Sequence, residues 1–235
     1  MSTLPLPDHP RAWRRAVLPN DIGPGRLTEV PGGAVTATAR ADALVSFDEA
    51  EVSRRVGLGC VPVTSLGALD ALLNLPLRHP VRIEDLSARE ERTLRALPSG
   101  CVEFGSGHVT RHLQPPLTVV ATIVTASRWL MGRRRVAAFF PFAQQIVVLP
   151  HAPSASVALE AEFLGVGIWV ANDGERSVCV PSAPFVRRYV KAAGWRFSES
   201  SLRSAHAQGL VTPSTVDGLC EQKQRTSASG RRRRC

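Results

Sequence analysis

The alternation of apolar and polar positions is clearest between Leu117 and Val170, where apolar runs alternate with segments of helical period. Leu117–Val124 and Ile146–Leu149 are apolar on both faces and rich in β-branched residues, as strands covered on both sides are. The pattern predicts, in order, a strand at 117–124, a basic helix at 127–140, a strand at 146–149, a helix at 154–164 and a strand at 166–170. Because short links join these elements, we expect parallel neighbouring strands with right-handed crossovers.

Residues 44–114 carry signals for helices followed by a hairpin. Ser87 and Glu90 form the pattern of a capping box, in which a hydroxyl and a carboxylate satisfy free backbone N–H groups at a helix start. Farther on, residues 101–113 predict a β-hairpin with a glycine-containing loop. Helices followed by a two-stranded ribbon resemble a winged helix, so we expect a winged-helix-like unit whose wing contains Arg111.

The predicted fold class is α/β, with α+β character overall. A winged-helix-like N-terminal unit is followed by a small mixed sheet with flanking helices, and both termini are flexible. Proline and glycine interrupt the start of the chain, and serine, glutamine, threonine and glycine dominate it after Ser198, so neither end is expected to build a core. The predicted parts are a flexible arm (1–43), the winged-helix-like unit (44–114), the α/β unit (115–197) and a low-complexity basic tail (198–235).

Composition excludes several classes of protein. No uninterrupted apolar run reaches the length of about 18 residues that a membrane span needs, and the first residues lack the charged start and apolar core of a secretory signal. We therefore expect a bacterial, cytoplasmic protein without a membrane partner. The five cysteines are scattered, odd in number and lack a C-x-x-C pair, so we expect reduced thiols and neither a disulfide framework nor a metal site. No cofactor is expected.

The net charge of +9 is concentrated in the basic tail and in one folded segment. Residues 104–159 contain no acidic residue and five arginines, which are Arg111, Arg128, Arg133, Arg134 and Arg135. Clustered positive charge indicates a polyanionic partner, and the planar guanidinium group suits paired hydrogen bonds to phosphate. We predict that these arginines bind nucleic acid, with double-stranded DNA as the partner. The alternative for Arg133–Arg135 is a solvated helix face without a ligand.

Residues 118–170 also show a distinctive order of motifs. Ser127-Arg-Trp129 opens the basic helix, the second strand ends in Val-Val-Leu-Pro150, and Gly165-Val-Gly167 leads into the last strand. This order resembles the second half of a PD-(D/E)XK nuclease-like domain. The resemblance implies that the helix after the catalytic strand packs on the sheet.

In that family, carboxylates hold Mg²⁺ and a lysine orients or activates water near the end of the strand before the helix. The corresponding positions here are Ala121, Thr122 and Ile123, and Glu103 is the candidate for a remaining upstream acid. The resemblance therefore implies a degenerate domain that has lost the nuclease centre and kept a scaffold able to grip phosphate without cutting it.

Three functions stay open from the sequence. The first is a non-catalytic DNA-binding or regulatory protein, with transcription regulation as the process. The second is a metal-dependent nuclease that uses acids outside the α/β segment, such as Glu84, Asp85 or Glu103. The third is a protein-interaction module whose basic surface binds an acidic partner.

Overall fold

The computed structural model describes residues 27–172, 175–186 and 190–211. In these residues the chain forms an α/β fold of six α-helices and nine strands. The strands are β1 (Leu27–Val35), β2 (Arg40–Phe47), β3 (Pro80–Arg82), β4 (Val102–Gly105), β5 (His108–Arg111), β6 (Leu117–Thr125), β7 (Gln144–Leu149), β8 (Gly167–Asn172) and β9 (Glu175–Val180). The helices are α1 (Glu49–Gly57), α2 (Leu66–Leu73), α3 (Ala88–Arg95), α4 (Trp129–Val136), α5 (Ala155–Leu164) and α6 (Ala192–Ala207). None of the described helices combines the length and the apolar character that crossing a membrane requires.

The chain divides into two compact units, which we call the sheet unit and the helical unit. Of the described residues, the sheet unit comprises 27–46, 117–172, 175–186 and 190, and the helical unit comprises 47–116 and 191–211. The border after Pro116 lies close to the predicted border after residue 114. The predicted borders differ at the other two crossings between the units: residues 27–43 are predicted to belong to an arm, and residues 191–197 to the α/β unit.

The sheet unit contains a six-stranded mixed sheet in the order β1-β2-β6-β7-β8-β9. Strands β6, β7 and β8 are parallel, with Ala121 opposite Gln144 and Ile146 opposite Gly167. Helices α4 and α5 make the two crossovers, so the predicted order of strand, helix, strand, helix and strand is confirmed. Gly165 ends α5 in the left-handed conformation at φ 68°, as a C-terminal cap requires.

Strands β1 and β2 correct the expectation of a flexible arm over residues 1–43. They pair antiparallel, and the pairing shifts between Val30 and Ala34, where the chain contains Pro31-Gly-Gly33. Gly32 has φ 59°, a backbone conformation that glycine adopts without strain. Val30 and Ala34, on the two sides of the irregular segment, stay fully buried. The proline and glycine residues therefore mark a bulge inside a strand. The rest of the predicted arm, residues 1–26, lies outside the described residues.

An ion pair joins the two outer strands of this sheet. Arg176 Nη1 on β9 donates hydrogen bonds to both carboxylate oxygens of Glu29 on β1, at 2.9 and 3.0 Å. In a flat sheet of six strands, the outer strands would lie roughly 24 Å apart, at about 4.8 Å per strand. The sheet is therefore strongly curled, and its curled face encloses an apolar cluster that includes Ile146 and Trp169.

The helical unit combines α1, α2, α3 and α6 with a three-stranded antiparallel sheet in the order β3-β5-β4. The predicted hairpin is confirmed, since Phe104 lies opposite Val109. The capping box is also present: Ser87 Oγ accepts a hydrogen bond from Glu90 N at 3.2 Å, and Glu90 Oε2 accepts one from Ser87 N at 3.0 Å. The sequence does not predict β3, because three residues are too few to show alternation. The winged-helix likeness stays a prediction.

Helix α6 corrects the expectation of a low-complexity tail from residue 198. Its serine-rich sequence is buried at several positions, including Ser198 and Ser201. Glu199 is fully buried and binds Arg55 of α1 through two hydrogen bonds of 2.8 Å each. Trp195 Nε1 donates a further hydrogen bond to Glu199 at 2.8 Å. The helix therefore docks through polar contacts that a hydrophobic pattern does not reveal. Residues 212–235 of the predicted tail lie outside the described part of the chain.

Candidate nucleic-acid interface

Helix α4 is amphipathic, and its two faces explain which side chains reach the surface. Trp129, Gly132 and Val136 recur at intervals of three and four residues and are buried where the helix packs on β6 and β7. The positions that are exposed or half-exposed are Arg128 (just before the helix), Leu130, Met131, Arg133, Arg134 and Arg135. The buried stripe therefore holds the arginines on the outer side of the sheet unit.

A glycine lets α4 lie directly on the sheet. A Cβ atom added at Gly132 would overlap Cγ1 of Val147 on β7 and would lie 3.3 Å from Cβ of Ala126. Packed interiors have no space for an additional methyl group, so glycine is required for this approach. The contact fixes the position of the helix that carries the arginines.

One of the four arginines on or just before α4 is neutralised within the fold. The Arg133 guanidinium forms an ion pair with Glu160 on α5, and the other carboxylate oxygen of Glu160 accepts a hydrogen bond from Trp129 Nε1 at 2.7 Å. Glu160 lies one position beyond the acid-free segment 104–159, so a charge count within that segment overlooks it. This ion pair corrects the expectation that no acid offsets the arginines of α4.

The other three arginines form what we call the α4 basic surface: Arg128, Arg134 and Arg135. All three are exposed, and Arg135 Nη1 donates a hydrogen bond to the backbone oxygen of Thr125 at 3.1 Å. Within the described ranges, the side chains of Arg128 and Arg134 make no hydrogen bond or ion pair. The α4 basic surface therefore keeps most of its N–H donors available to a ligand.

Arg111 has a structural role in the helical unit and does not join this surface. Its guanidinium is buried and donates hydrogen bonds to the backbone oxygens of Leu72, Leu75 and Leu113 at 2.9, 3.1 and 2.8 Å. It also lies over the ring of Trp195, 4.8 Å from the ring centroid. Burial lowers the pKa of Arg111. The expectation that Arg111 contacts phosphate is thereby corrected, because its donors are used inside the unit.

The acids of the nuclease alternative have partners on the surface of the helical unit. Glu84 and Asp85 both form ion pairs with Arg82, and the Glu103 carboxylate lies 3.1 Å from His112 Nε2. Among the residues that the structure describes, no three His, Cys, Asp or Glu side chains are grouped so that they could hold a metal ion.

Comparison with known proteins finds no matching family model, no matching curated protein and no matching solved structure. The resemblance of residues 118–170 to PD-(D/E)XK nuclease-like domains therefore stays a prediction.

Proposed function

We propose that this protein is a non-catalytic DNA-binding or regulatory protein that holds the phosphate backbone with the α4 basic surface, in the bacterial cytoplasm. The observation that carries the proposal is the presence of three exposed guanidinium groups on or just before one helix, two of them without any partner in the described residues. A guanidinium group can bind a phosphate through two parallel hydrogen bonds.

The spacing of these arginines suits a nucleic-acid backbone. Arg128 and Arg135 are seven positions apart, which corresponds to roughly 10 Å along a helix at 1.5 Å per residue. Three nucleotides of one DNA strand rise about the same distance along the duplex axis, at 3.4 Å per phosphate. Flexible arginine side chains on α4 can therefore contact successive phosphates without distortion of either partner.

The position of Arg128 favours an anionic ligand over a purely structural role. Arg134 and Arg135 occupy the last turn of α4, where the helix dipole stabilises positive charge by about 0.3–1 kcal/mol. Arg128 occupies the opposite end, where the same dipole disfavours a cation. An unpaired cation at that end is explained if a bound phosphate compensates it.

A gel-shift titration of the full-length protein with a mixed-sequence DNA duplex tests the proposal. The logarithm of the binding constant is expected to fall linearly with the logarithm of salt concentration between about 50 and 200 mM, because each bound phosphate releases counterions. Absence of a shifted band at the lowest salt concentration would contradict the proposal.

Two further assays separate the alternative functions. Incubation with plasmid DNA and Mg²⁺ or Mn²⁺ is expected to leave the plasmid intact. Cleavage that is lost in Glu103→Ala would instead support a metal-dependent nuclease. A binding partner that is captured from a lysate equally well after nuclease treatment would support an interaction module for an acidic protein.

A further inference from the structure

An open depression lies beside the α4 basic surface, between the C-terminal ends of α4 and α5. It has a volume of about 780 Å³. Such a volume lies within the range of about 300–1,000 Å³ that is typical of small-molecule sites. Its polar and aromatic lining consists of Arg134, Phe140, Gln145 and Arg133, the last of which is paired with Glu160. Ala137, Leu164 and Val166 complete the lining with apolar side chains.

Gln145 is a largely buried polar side chain in the lining of the depression. On β7, Ile146 and Val148 belong to the apolar cluster on the curled face, so alternation turns Gln145 and Val147 to the face that α4 covers. Gln145 is only 7% exposed, and its amide has no hydrogen-bond partner among the described residues. Arg176 Nε is the only side-chain nitrogen or oxygen of the described residues that is both sealed from solvent and unpaired, so the Gln145 amide keeps contact with solvent and its donors and acceptor are open to a ligand.

Phe140 and Arg134, which line the same depression, supply the complementary chemistry. Phe140 is 67% exposed, and an exposed aromatic ring provides a stacking surface that tolerates any nucleobase. Arg134 has no ion pair in the described ranges and can bind a phosphate. The Gln145 amide offers one acceptor and two donors, which match the polar edge of a base.

We propose that the depression holds one unpaired nucleotide of a single-stranded segment. The base stacks on Phe140, its edge bonds to the Gln145 amide, and its phosphate binds Arg134. This inference rests on the proposed function, since it names the form of nucleic acid that the α4 basic surface prefers. In a fully paired duplex the bases are stacked and paired, so none can enter the depression without being unstacked.

Fluorescence anisotropy with one labelled mixed-sequence oligonucleotide, as a single strand and as a blunt duplex, tests this. The full-length wild-type protein is expected to bind the single strand more tightly. Phe140→Ala and Gln145→Leu are each expected to weaken single-strand binding about tenfold, the usual effect of losing one base contact, and to change duplex binding less than twofold. Phe163→Ala is the matched control, because Phe163 is 89% exposed and lies outside the depression.

The outcomes separate this inference from the proposed function. Equal affinity of the wild type for the single strand and the duplex overturns the inference. The inference is also overturned if the Phe140→Ala and Gln145→Leu proteins bind the single strand as tightly as the wild type does. The same holds if these substitutions weaken binding to the single strand and to the duplex equally. Duplex binding by the wild type still supports the proposed function in these cases. Absence of binding to either form contradicts both. An unchanged circular dichroism spectrum and melting temperature show that a weakened variant is folded.

A second and independent feature is a pair of thiols in the helical unit. Cys60, which follows α1, and Cys101, which precedes β4, have sulfur atoms 3.7 Å apart, although 41 positions separate them in sequence. Both are buried, with exposures of 6% and 0%. These two cysteines are far apart in the sequence, and folding brings them into contact.

The surroundings make the two thiols chemically different. The pKa of the Cys60 thiol is lowered to about 7, mainly by the hydrogen bond with Cys101. The charges of Arg55 and Arg54 lower this pKa further, while burial raises it. The contact with Cys60, together with burial, raises the pKa of Cys101. Cys60 also keeps 6% of its surface exposed whereas Cys101 keeps none, so Cys60 is the nucleophile of the pair, and Cys101, 3.7 Å away, is placed to react with it after oxidation.

We infer that Cys60 and Cys101 form a reversible disulfide in the presence of a peroxide. The Cys60 thiolate attacks one peroxide oxygen, the O–O bond breaks, and the departing hydroxide takes up a proton to give water. The Cys101 thiol then attacks the sulfur of the resulting sulfenic acid, the S–O bond breaks, and a second water leaves. The two thiols lose two electrons in total, and the peroxide is reduced to two water molecules.

Peptide mapping by mass spectrometry after treatment of the folded protein with hydrogen peroxide tests this inference. The expected product is a peptide pair joined through Cys60 and Cys101, about 2 Da lighter than the two thiol peptides and separated again by dithiothreitol. Cys101→Ser is expected to leave a sulfenic acid on Cys60 that dimedone labels. Cys179→Ser, which removes an exposed thiol, is expected to keep the joined pair. Oxidation confined to other cysteines, or a joined pair formed only in denaturant, would overturn the inference.

Discussion

Arg133 on α4 forms an ion pair with Glu160 on α5, so one guanidinium group of the basic helix is neutralised within the fold. Both side chains are 38% exposed, and the pair is therefore weakened by solvent and salt. The same carboxylate also accepts a hydrogen bond from Trp129 Nε1. Glu160 thus limits the positive charge that α4 can offer to a ligand.

Glu160→Gln is expected to strengthen binding to duplex DNA. Glutamine can still accept the hydrogen bond from Trp129, but it releases Arg133 to bind an additional phosphate. The slope of the logarithm of the binding constant against the logarithm of salt is expected to steepen by about one unit. Glu162→Gln is the matched control, because Glu162 is exposed on the same helix and its replacement changes the net charge equally. Identical effects of the two substitutions would show that Arg133 gains no phosphate contact.

Arg55→Met is expected to destabilise the protein strongly. Arg55 and Glu199 are both buried, and the substitution leaves the carboxylate of Glu199 without its charged partner. Breaking such a pair typically costs about 3–5 kcal/mol in the free energy of unfolding, which urea denaturation measures. Arg95→Met removes an exposed ion pair with Glu91 and is expected to cost less than about 1 kcal/mol. Comparable small losses in the two variants would contradict the assigned role of Arg55.

The stability of the protein is expected to depend on pH through Glu51. Burial raises the pKa of the Glu51 carboxyl, but hydrogen bonds and charges from Arg54 and Arg55 outweigh burial and hold that pKa below its usual value. Ionised Glu51 therefore stabilises the fold above the unfolded-chain pKa of about 4.3, and this stabilisation is lost as the pH falls through the lower, folded-state pKa.

Free energies of unfolding at neutral and acid pH, measured for the wild type and Glu51→Gln, test this dependence. The difference in stability between the two proteins is expected to be greatest at neutral pH and to shrink below about pH 4. A difference that stays constant down to low pH would show that ionised Glu51 does not contribute.

Gly132→Ala is expected to destabilise the sheet unit although alanine favours helices. The new methyl group would overlap Val147, and overpacking of this kind costs about 1–3 kcal/mol. Gly67→Ala is the control, since a Cβ atom at that exposed helical position meets nothing within 4 Å. It is expected to stabilise the protein by up to about 1 kcal/mol. The prediction fails if both substitutions raise the melting temperature.

Elements with local signals could be predicted from the sequence. Ser87 and Glu90 define the start of α3 by their own hydrogen bonds, and Gly165 defines the end of α5 by its backbone conformation. The parallel strands could be predicted because continuous apolar runs such as Ile146–Leu149 require cover on both faces. Each of these features depends on neighbours within a few residues.

Features that depend on distant partners could not be predicted in this way. The carboxylate of Glu199 is acceptable inside α6 only because Arg55, 144 positions earlier, neutralises it. Arg111 carries the same charge as the surface arginines, and only the carbonyl groups of another segment make it structural. Gln144-Gln145, the polar start of β7, was the local signal for the depression. The strand prediction missed it because it was based on the apolar run Ile146–Leu149 that follows.

The salt dependence of duplex binding tests the α4 basic surface most directly. The measurement compares the wild type with two triple alanine variants. The first replaces Arg128, Arg134 and Arg135. The second replaces three exposed arginines of the helical unit, which are Arg89, Arg196 and Arg203. Both variants lose the same charge and keep the basic tail, so a difference between them reports on α4. We expect a slope that is shallower by up to about three units in the first variant and close to the wild-type slope in the second. Equal slopes in the two triple variants would show that the α4 basic surface does not bind the phosphate backbone.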